Sequence, residues 1–314
     1  MSRGVVLLVL SIAVALGLGF WAQEHYLLTA ISVPATAPAA QPSSLDLNVV
    51  AGIQQRIQKS GGDVGVAFRT LDGHTAWSFR AEEPFHAAST MKIPVMIELF
   101  HQVHQGKLKL DDALPIKNQF YSLVDGSTFT LDPNDDSETD LYKAVGQTRT
   151  LSLLCDLMIT VSSNLATNLL IQKLGVGSIR ATVHSLHADG MNVLRGVEDN
   201  KAFEKGLNNT TNAQGLAVLL EAIAKGEAVD ADASGQMVAI LERQKFNEGI
   251  PAGVPAGMQV AHKTGELTKL HHDAAIVYAK RPFVLVILVR GMPDIRDSSA
   301  LMADITRQLY QATQ

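Results

Sequence analysis

From Gly4 to Ala22 every position is apolar except Ser11, with Arg3 before the run and Glu24 and His25 beyond it. A bilayer is crossed by about 20 such residues. The basic residue on the short N-terminal side predicts that this side stays in the cytosol and that everything after Ala22 is exported. A cleaved signal peptide is the rival reading, but Phe20 and Trp21 stand where a cleavage site wants small residues. The pattern predicts an uncleaved membrane anchor over residues 1–25, a Pro/Ala-rich tether over 26–45 and a folded domain over 46–314.

Beyond the tether, residues 46–60 place apolar side chains at helical spacing, and Gly61-Gly62 stops the pattern. Val64–Phe68 and Thr75–Phe79 then read as two short strands around the turn Asp72-Gly73. The period turns helical from Met91 to His104, and helical segments dominate from Leu151 to Arg243, with Thr150, Thr211 and Asp230 as caps. Strands return only at Gln259–His262, Asp273–Ala279 and Phe283–Val289, before an amphipathic helix over 298–311. Strands at both ends with helices between them predict an α/β chain of the α+β type. The two ends share one antiparallel sheet with flanking helices, and the middle forms an all-helical lobe. A cleft between such lobes is a common ligand site.

Charge narrows the partners. The 314 residues hold 26 Lys+Arg against 31 Asp+Glu, a formal charge of −5, with no basic run, so nucleic acid is not an expected partner. A single cysteine, Cys155, excludes an intrachain disulfide, and among Leu153, Leu154 and Leu157 it reads as a small buried hydrophobe. No Cys/His pairing has metal-site spacing, so neither metal nor cofactor is expected. Asp132, Asp135, Asp136, Glu138 and Asp140 lack the ladder of a calcium loop and read as a solvated insertion. Phe120-Tyr121 reads as core, with an aromatic cleft wall as the alternative.

Chemistry enters with three short motifs. Ser89-Thr90-Met91-Lys92 sets a hydroxyl and an amine one helical turn apart on one face. A serine hydroxyl becomes a useful nucleophile when a neighbouring base takes its proton, and a buried lysine can be that base. Alone this pair is a weak signal, because a capping serine followed by a surface lysine is common. Two more motifs follow it: Ser162-Ser163-Asn164 after the helical run 151–160, and Lys263-Thr264-Gly265 at the end of the strand that begins at Gln259.

In order and approximate spacing the three motifs resemble those of the class A β-lactamases and related penicillin-binding serine enzymes. The likeness spans the chain from the helix at Asp46 to the helix ending near Gln311, including Met158–Val161 and Ala166–Leu170 around the middle motif. It implies that Ser89 is the acylated nucleophile, Lys92 its activating partner and Ser162 the proton relay to the leaving nitrogen. Asn164 would hold the substrate's side-chain amide. Lys263 would place positive charge near Ser162 and the substrate carboxylate, which Thr264 would bond. The backbone N–H groups of Ser89 and Glu266 would form the oxyanion hole, and Gly265 would keep the strand edge open for ligand.

Two places depart from the family pattern. Ser163 stands where an aspartate is usual, a residue generally structural there. The loop that carries the deacylating glutamate and asparagine runs here from Arg195 to Asn209 without a clean E-x-x-L-N. Glu198 is chosen as base, Glu204 is the alternative, and two solvated loop carboxylates are the bland reading. His272 is expected at the mouth of the site, where the family keeps a cation for the substrate carboxylate; His271 and His262 are weaker candidates, and His262 should face the other side of the sheet. The expected protein is an exported, membrane-anchored, monomeric serine hydrolase acting on a β-lactam amide. A D-Ala-D-Ala peptidase or esterase acting on peptidoglycan-like cell-envelope substrates is the first alternative. A slow penicillin-binding sensor is the second.

Overall fold

The computed structural model describes residues 45–314; the expected anchor and nearly all of the tether lie outside the described residues. Among the described residues no helix is long and apolar enough to cross a membrane. Helix α1 spans Leu47–Ser60. Its start is set by Asp46, whose carboxylate accepts from the Asn48 N–H, and its end by Gly61 in the left-handed region at φ 68°. Strands β1 (Asp63–Thr70) and β2 (Ala76–Phe79) follow as the expected hairpin. The two-residue strand β3 (Phe85–His86) leads into the first motif.

The middle of the chain is helical. Its principal helices are α2 (Lys92–His104), α3 (Leu151–Thr160), α4 (Asn164–Leu174), α5 (Val176–Ser185) and the short α6 (Asn200–Glu204). The short strand β4 (Thr210–Thr211) precedes α7 (Ala213–Lys225) and α8 (Ala231–Leu241). Thr150 and Asp230 cap α3 and α8 as expected, but α7 is capped by Asn212, whose side chain accepts from the Gly215 N–H. The chain then returns through β5 (Val260–Leu267), β6 (Leu270–Val277), β7 (Phe283–Arg290) and α9 (Ile295–Thr313).

The five long strands form one antiparallel sheet in the order β2-β1-β7-β6-β5, so the first hairpin lies beside the last strand of the chain. Strand β7 explains why both faces are covered. Val284, Val286 and Leu288 join the core of the helical lobe, whereas Phe283, Leu285, Ile287 and Val289 pack with α1 and α9. Alternate residues of a strand face opposite ways, so a strand buried on both sides reads as an unbroken apolar run. Each such side chain contributes about 1.5–3 kcal/mol on burial.

Helix α2 is the axis of the helical lobe, and every residue from Lys92 to Phe100 is buried. A helix enclosed on all sides leaves no polar stripe for a lysine at its first position. Lys92 is therefore held out of water by the fold itself. Strand β5 extends to Leu267, two residues past Gly265, so the third motif lies within the strand rather than at its end. Backbone pairing to β6 carries those last residues, Glu266 and Leu267, whose side chains are exposed and do not continue the buried pattern. Cys155 is fully buried, and burial pushes its thiol up to about 12, consistent with an inert core residue.

Candidate active site

A 3₁₀ turn over Ala88–Met91 presents Ser89 at the entrance to α2. Ala88, just before it, has φ 44°, a left-handed conformation unfavourable for a residue with a Cβ. Its surroundings enforce that geometry: the Ala88 N–H donates to His86 Nδ1 at 3.0 Å, the Ala87 N–H donates to the Asn209 carbonyl at 2.9 Å, and β3 pairs with β4. Gly265 closes the turn from the other side. A Cβ there would lie 3.1 Å from the Ser89 nitrogen and 3.2 Å from Ala88 and Thr90 side-chain carbons. The close approach of β5 to the serine turn thus gives the glycine a packing reason besides the ligand contact expected from sequence.

Lys92 Nζ donates to the Ser162 carbonyl at 2.6 Å, to Ser162 Oγ at 3.1 Å and to Asn164 Oδ1 at 3.0 Å. Lys263 Nζ reaches the same Ser162 Oγ at 3.1 Å and the Thr264 carbonyl at 2.9 Å. Ser162 occupies the link between α3 and α4 with φ 61°, and Ser163 caps α4 by accepting from the Ala166 N–H. Two fully buried amines thus share one hydroxyl. Burial lowers Lys92 to about 7, partly opposed by the negative charges of Asp136 and Glu198. Burial, and then the charge of Lys92, push Lys263 well below the usual lysine range. At least one of these amines is available as a neutral base near pH 7.

Asn164 connects this pair to the loop 195–209. Its Nδ2 donates to Glu198 Oε1 at 2.7 Å, and Glu198 sits at φ 60° in a half-buried position. Burial raises the Glu198 carboxyl above its ordinary value, and the Asn164 hydrogen bond opposes that shift. The loop is pinned on both sides of Glu198. Asn168 accepts from the Val197 N–H at 2.7 Å and donates to the Val197 carbonyl at 3.0 Å. Arg195 donates to the carbonyls of Leu207 and Gly196 and to Asn208 Oδ1, tying the two ends of the loop together through neutral acceptors.

Ser89, Asn164, Glu198 and Glu266 line one cleft, together with His86 and Phe203. His86 and Phe203 were not among the residues singled out from sequence; their rings meet edge-on at 6.1 Å on the rim. Only their neighbourhood to Ser89 and Glu198 along the chain could have flagged them. Glu204 is exposed at the end of α6 and does not line the cleft, because that short helix turns it outward.

His272 requires a correction. It is fully buried rather than at the mouth, packs edge-on against Phe85 at 5.8 Å, reaches the His86 carbonyl through Nε2 and accepts from the Val289 N–H through Nδ1. Burial lowers it to about 4, so near pH 7 it is a neutral strut between β3 and β7 and carries no charge toward a ligand. His262 lies with Asp273 at 2.9 Å, apart from Lys263, as its position on the strand predicts. His271 is buried beside Ser298 at 3.0 Å. Phe120 is buried and Tyr121 exposed, and neither lines the cleft.

In the acidic segment Asp132, Asp135 and Asp140 are exposed as expected, and one residue departs from that reading. Asp136 is buried and accepts from the backbone N–H groups of Asn164 and Leu165, because the first turn of α4 needs acceptors that no nearer carboxylate supplies.

A model of the Beta-lactamase enzyme family matches residues 48–313. A β-lactamase of Rhodobacter capsulatus is 28% identical over 209 residues, 66% of each chain. One of Mycobacterium tuberculosis is 26% identical over 308 residues, 91% of this chain and 95% of the relative. Among solved structures, a mutant of PBP-A in an acyl-enzyme complex with penicillin G superposes with a TM-score of 0.74 at 27% identity, covering 86% of this chain and 98% of that one. The fold, the three motifs gathered around one cleft and the match over nearly the whole described chain agree: this chain belongs to the β-lactamase enzyme family and is a serine hydrolase of the β-lactamase type.

Proposed function

We propose that the protein hydrolyses the β-lactam amide through an acyl-enzyme on Ser89, with the chemistry of a class A enzyme. The observation that carries this reading is the hydrogen-bonded series Lys263, Ser162, Lys92, Asn164, Glu198, laid beside the serine turn. Neutral Lys92 takes the Ser89 proton as Oγ attacks the lactam carbonyl, and the N–H groups of Ser89 and Glu266 receive the oxyanion. The carbonyl–nitrogen bond then breaks, and the nitrogen takes a proton from Ser162 Oγ, which recovers one from a lysine ammonium. Glu198 removes a proton from water, the hydroxide attacks the ester, and Ser89 leaves with a proton restored. Asn164, Lys263, Thr264 and the edge of β5 at Gly265 orient the substrate. With His272 buried and neutral, the substrate carboxylate is left to Lys263 and Thr264.

Intact-protein mass spectrometry after a penicillin pulse tests the reading directly. The expected record is a mass gain on the protein that decays within the assay. A gain that never decays would favour the penicillin-binding alternative, which the likeness to PBP-A and the lack of a clean E-x-x-L-N in the loop 195–209 support. No gain, with turnover of peptidoglycan-like peptides or esters instead, would move the substrate assignment.

Acylation should also follow the ionisation of Lys92. Its amine titrates near 7, so the reactive neutral form is lost as pH falls through that value. The acylation rate should rise with pH through about 7 and drop about tenfold per unit below about pH 6. A stopped-flow profile that is flat from about pH 5 to 9 would remove Lys92 as the base. The apolar run at Gly4–Ala22 supports export, with the catalytic domain held at the outer face of the cytoplasmic membrane.

A further inference from the structure

The first turn of α4 carries Asn164, whose side chain joins Lys92 to Glu198, yet no carboxylate stands in Ser162-Ser163-Asn164 to anchor it. The anchor comes from elsewhere. Asp136, 7% exposed, lies 28 residues before Asn164. Its Oδ2 accepts from the Asn164 N–H at 2.8 Å, the Leu165 N–H at 2.9 Å, the Tyr142 hydroxyl at 2.9 Å and Ser163 Oγ at 3.3 Å. Its Oδ1 accepts from the Glu138 N–H at 3.0 Å. Five donors on a single buried carboxylate hold it in one orientation, and charged acceptors make the stronger hydrogen bonds.

We propose that Asp136 is a positioning residue of the active site: its carboxylate, from a separate segment, does the work of the one absent from the Ser162-Ser163-Asn164 motif, fixing Asn164 between Lys92 and Glu198 and keeping a buried negative charge near Lys92. The inference rests on the acyl-enzyme reading above. It distinguishes Asp136 from the exposed acids before it, Asp132 and Asp135, which do not make this set of contacts. The neighbouring Tyr142 is part of the same arrangement, since its hydroxyl takes up a lone pair of Asp136 and its own ionisation is pushed up by burial and by that carboxylate.

Asp136→Asn removes the charge and turns one acceptor atom into a donor, so the five donors can no longer all be satisfied. Acylation by a fluorescent penicillin should slow about ten- to a hundredfold. Its acid limb should move to lower pH, because a negative charge favouring protonated Lys92 has gone. The remaining charged groups facing Lys92 are Glu198 from the loop, which favours the protonated form, and Lys263 from β5, which opposes it. A carboxylate that only caps the helix would lower the melting temperature and the plateau rate and leave the limb in place. That result would overturn the proposal.

Ser163→Asp supplies a second, independent readout. In the wild-type protein it sets two carboxylates beside each other and should slow acylation. Combined with Asp136→Asn it replaces the missing acceptor and should recover at least about tenfold of the lost rate. Failure to recover, or wild-type kinetics in folded Asp136→Asn, would overturn the proposal. If Asp136→Asn does not fold, the double variant decides: an unfolded double variant, or a folded one that does not acylate, counts against it. Absence of a Ser89 adduct in the wild-type protein would sink the acyl-enzyme reading itself, whereas an acylating wild type with an unaffected Asp136→Asn sinks only this inference.

Discussion

The Ser89→Ala protein will fold as the wild type does and gain no mass from a penicillin pulse. Ser89 lies in a 3₁₀ turn whose shape is set by backbone bonds from Ala87 and Ala88 and by the contact with Gly265, none of which uses the Ser89 hydroxyl. Removing Oγ should therefore change stability by no more than about 1 kcal/mol. On the proposed acyl-enzyme route it deletes the atom that would form the ester, so the adduct should be absent rather than slow. Equal labelling of the two proteins, with matching thermal melts, would show that another residue is acylated and would undo the assignment of all three motifs to one reaction.

Glu198→Gln should have the second large effect, acylating at close to the wild-type rate and then holding the adduct. A glutamine keeps the shape and can still accept from Asn164 Nδ2, so the loop geometry survives. Loss of the base should slow deacylation about 10²–10⁴-fold. Acylation is spared for an electrostatic reason: the Glu198 charge favours protonated Lys92, so its removal leaves more of the neutral amine. The raised carboxyl of Glu198 sets the sign of the pH dependence, with deacylation in the wild type falling as pH drops through a value above the ordinary glutamate range. Glu204→Gln and His272→Ala serve as comparisons, since one side chain is exposed away from the cleft and the other is a buried strut. Fast clearance in Glu198→Gln alongside a trapped adduct in Glu204→Gln would transfer the role.

Much of this site can be read along the chain because its parts are local. Ser89 and Lys92 share one turn, Ser162 and Asn164 share one link, and Lys263 to Gly265 share one strand, so each motif is visible as a short stretch and the three in order carry the family resemblance that nominates the groups. The antiparallel sheet from both ends and the helical middle follow from the switch between periods of two and 3.6. What spacing cannot reveal is which polar residue ends in water. His272 and Asp136 both read as exposed, and both are buried, because packing against Phe85 in one case and the open N–H groups of α4 in the other come from distant segments.

The element types and the three motifs can be read from consecutive residues, since hydrophobic period and short-range spacing are local properties, and the resemblance those motifs carry nominates the reacting groups. The tertiary structure decided the rest. It brought two lysines to 3.1 Å from one serine hydroxyl, lowered their proton affinity by taking them out of water, preferred Glu198 to Glu204 by lining the cleft with only one of them, and recruited Asp136 from 28 residues away. Burial and through-space charge depend on what packs around a group, and that is settled only when segments far apart in the chain meet.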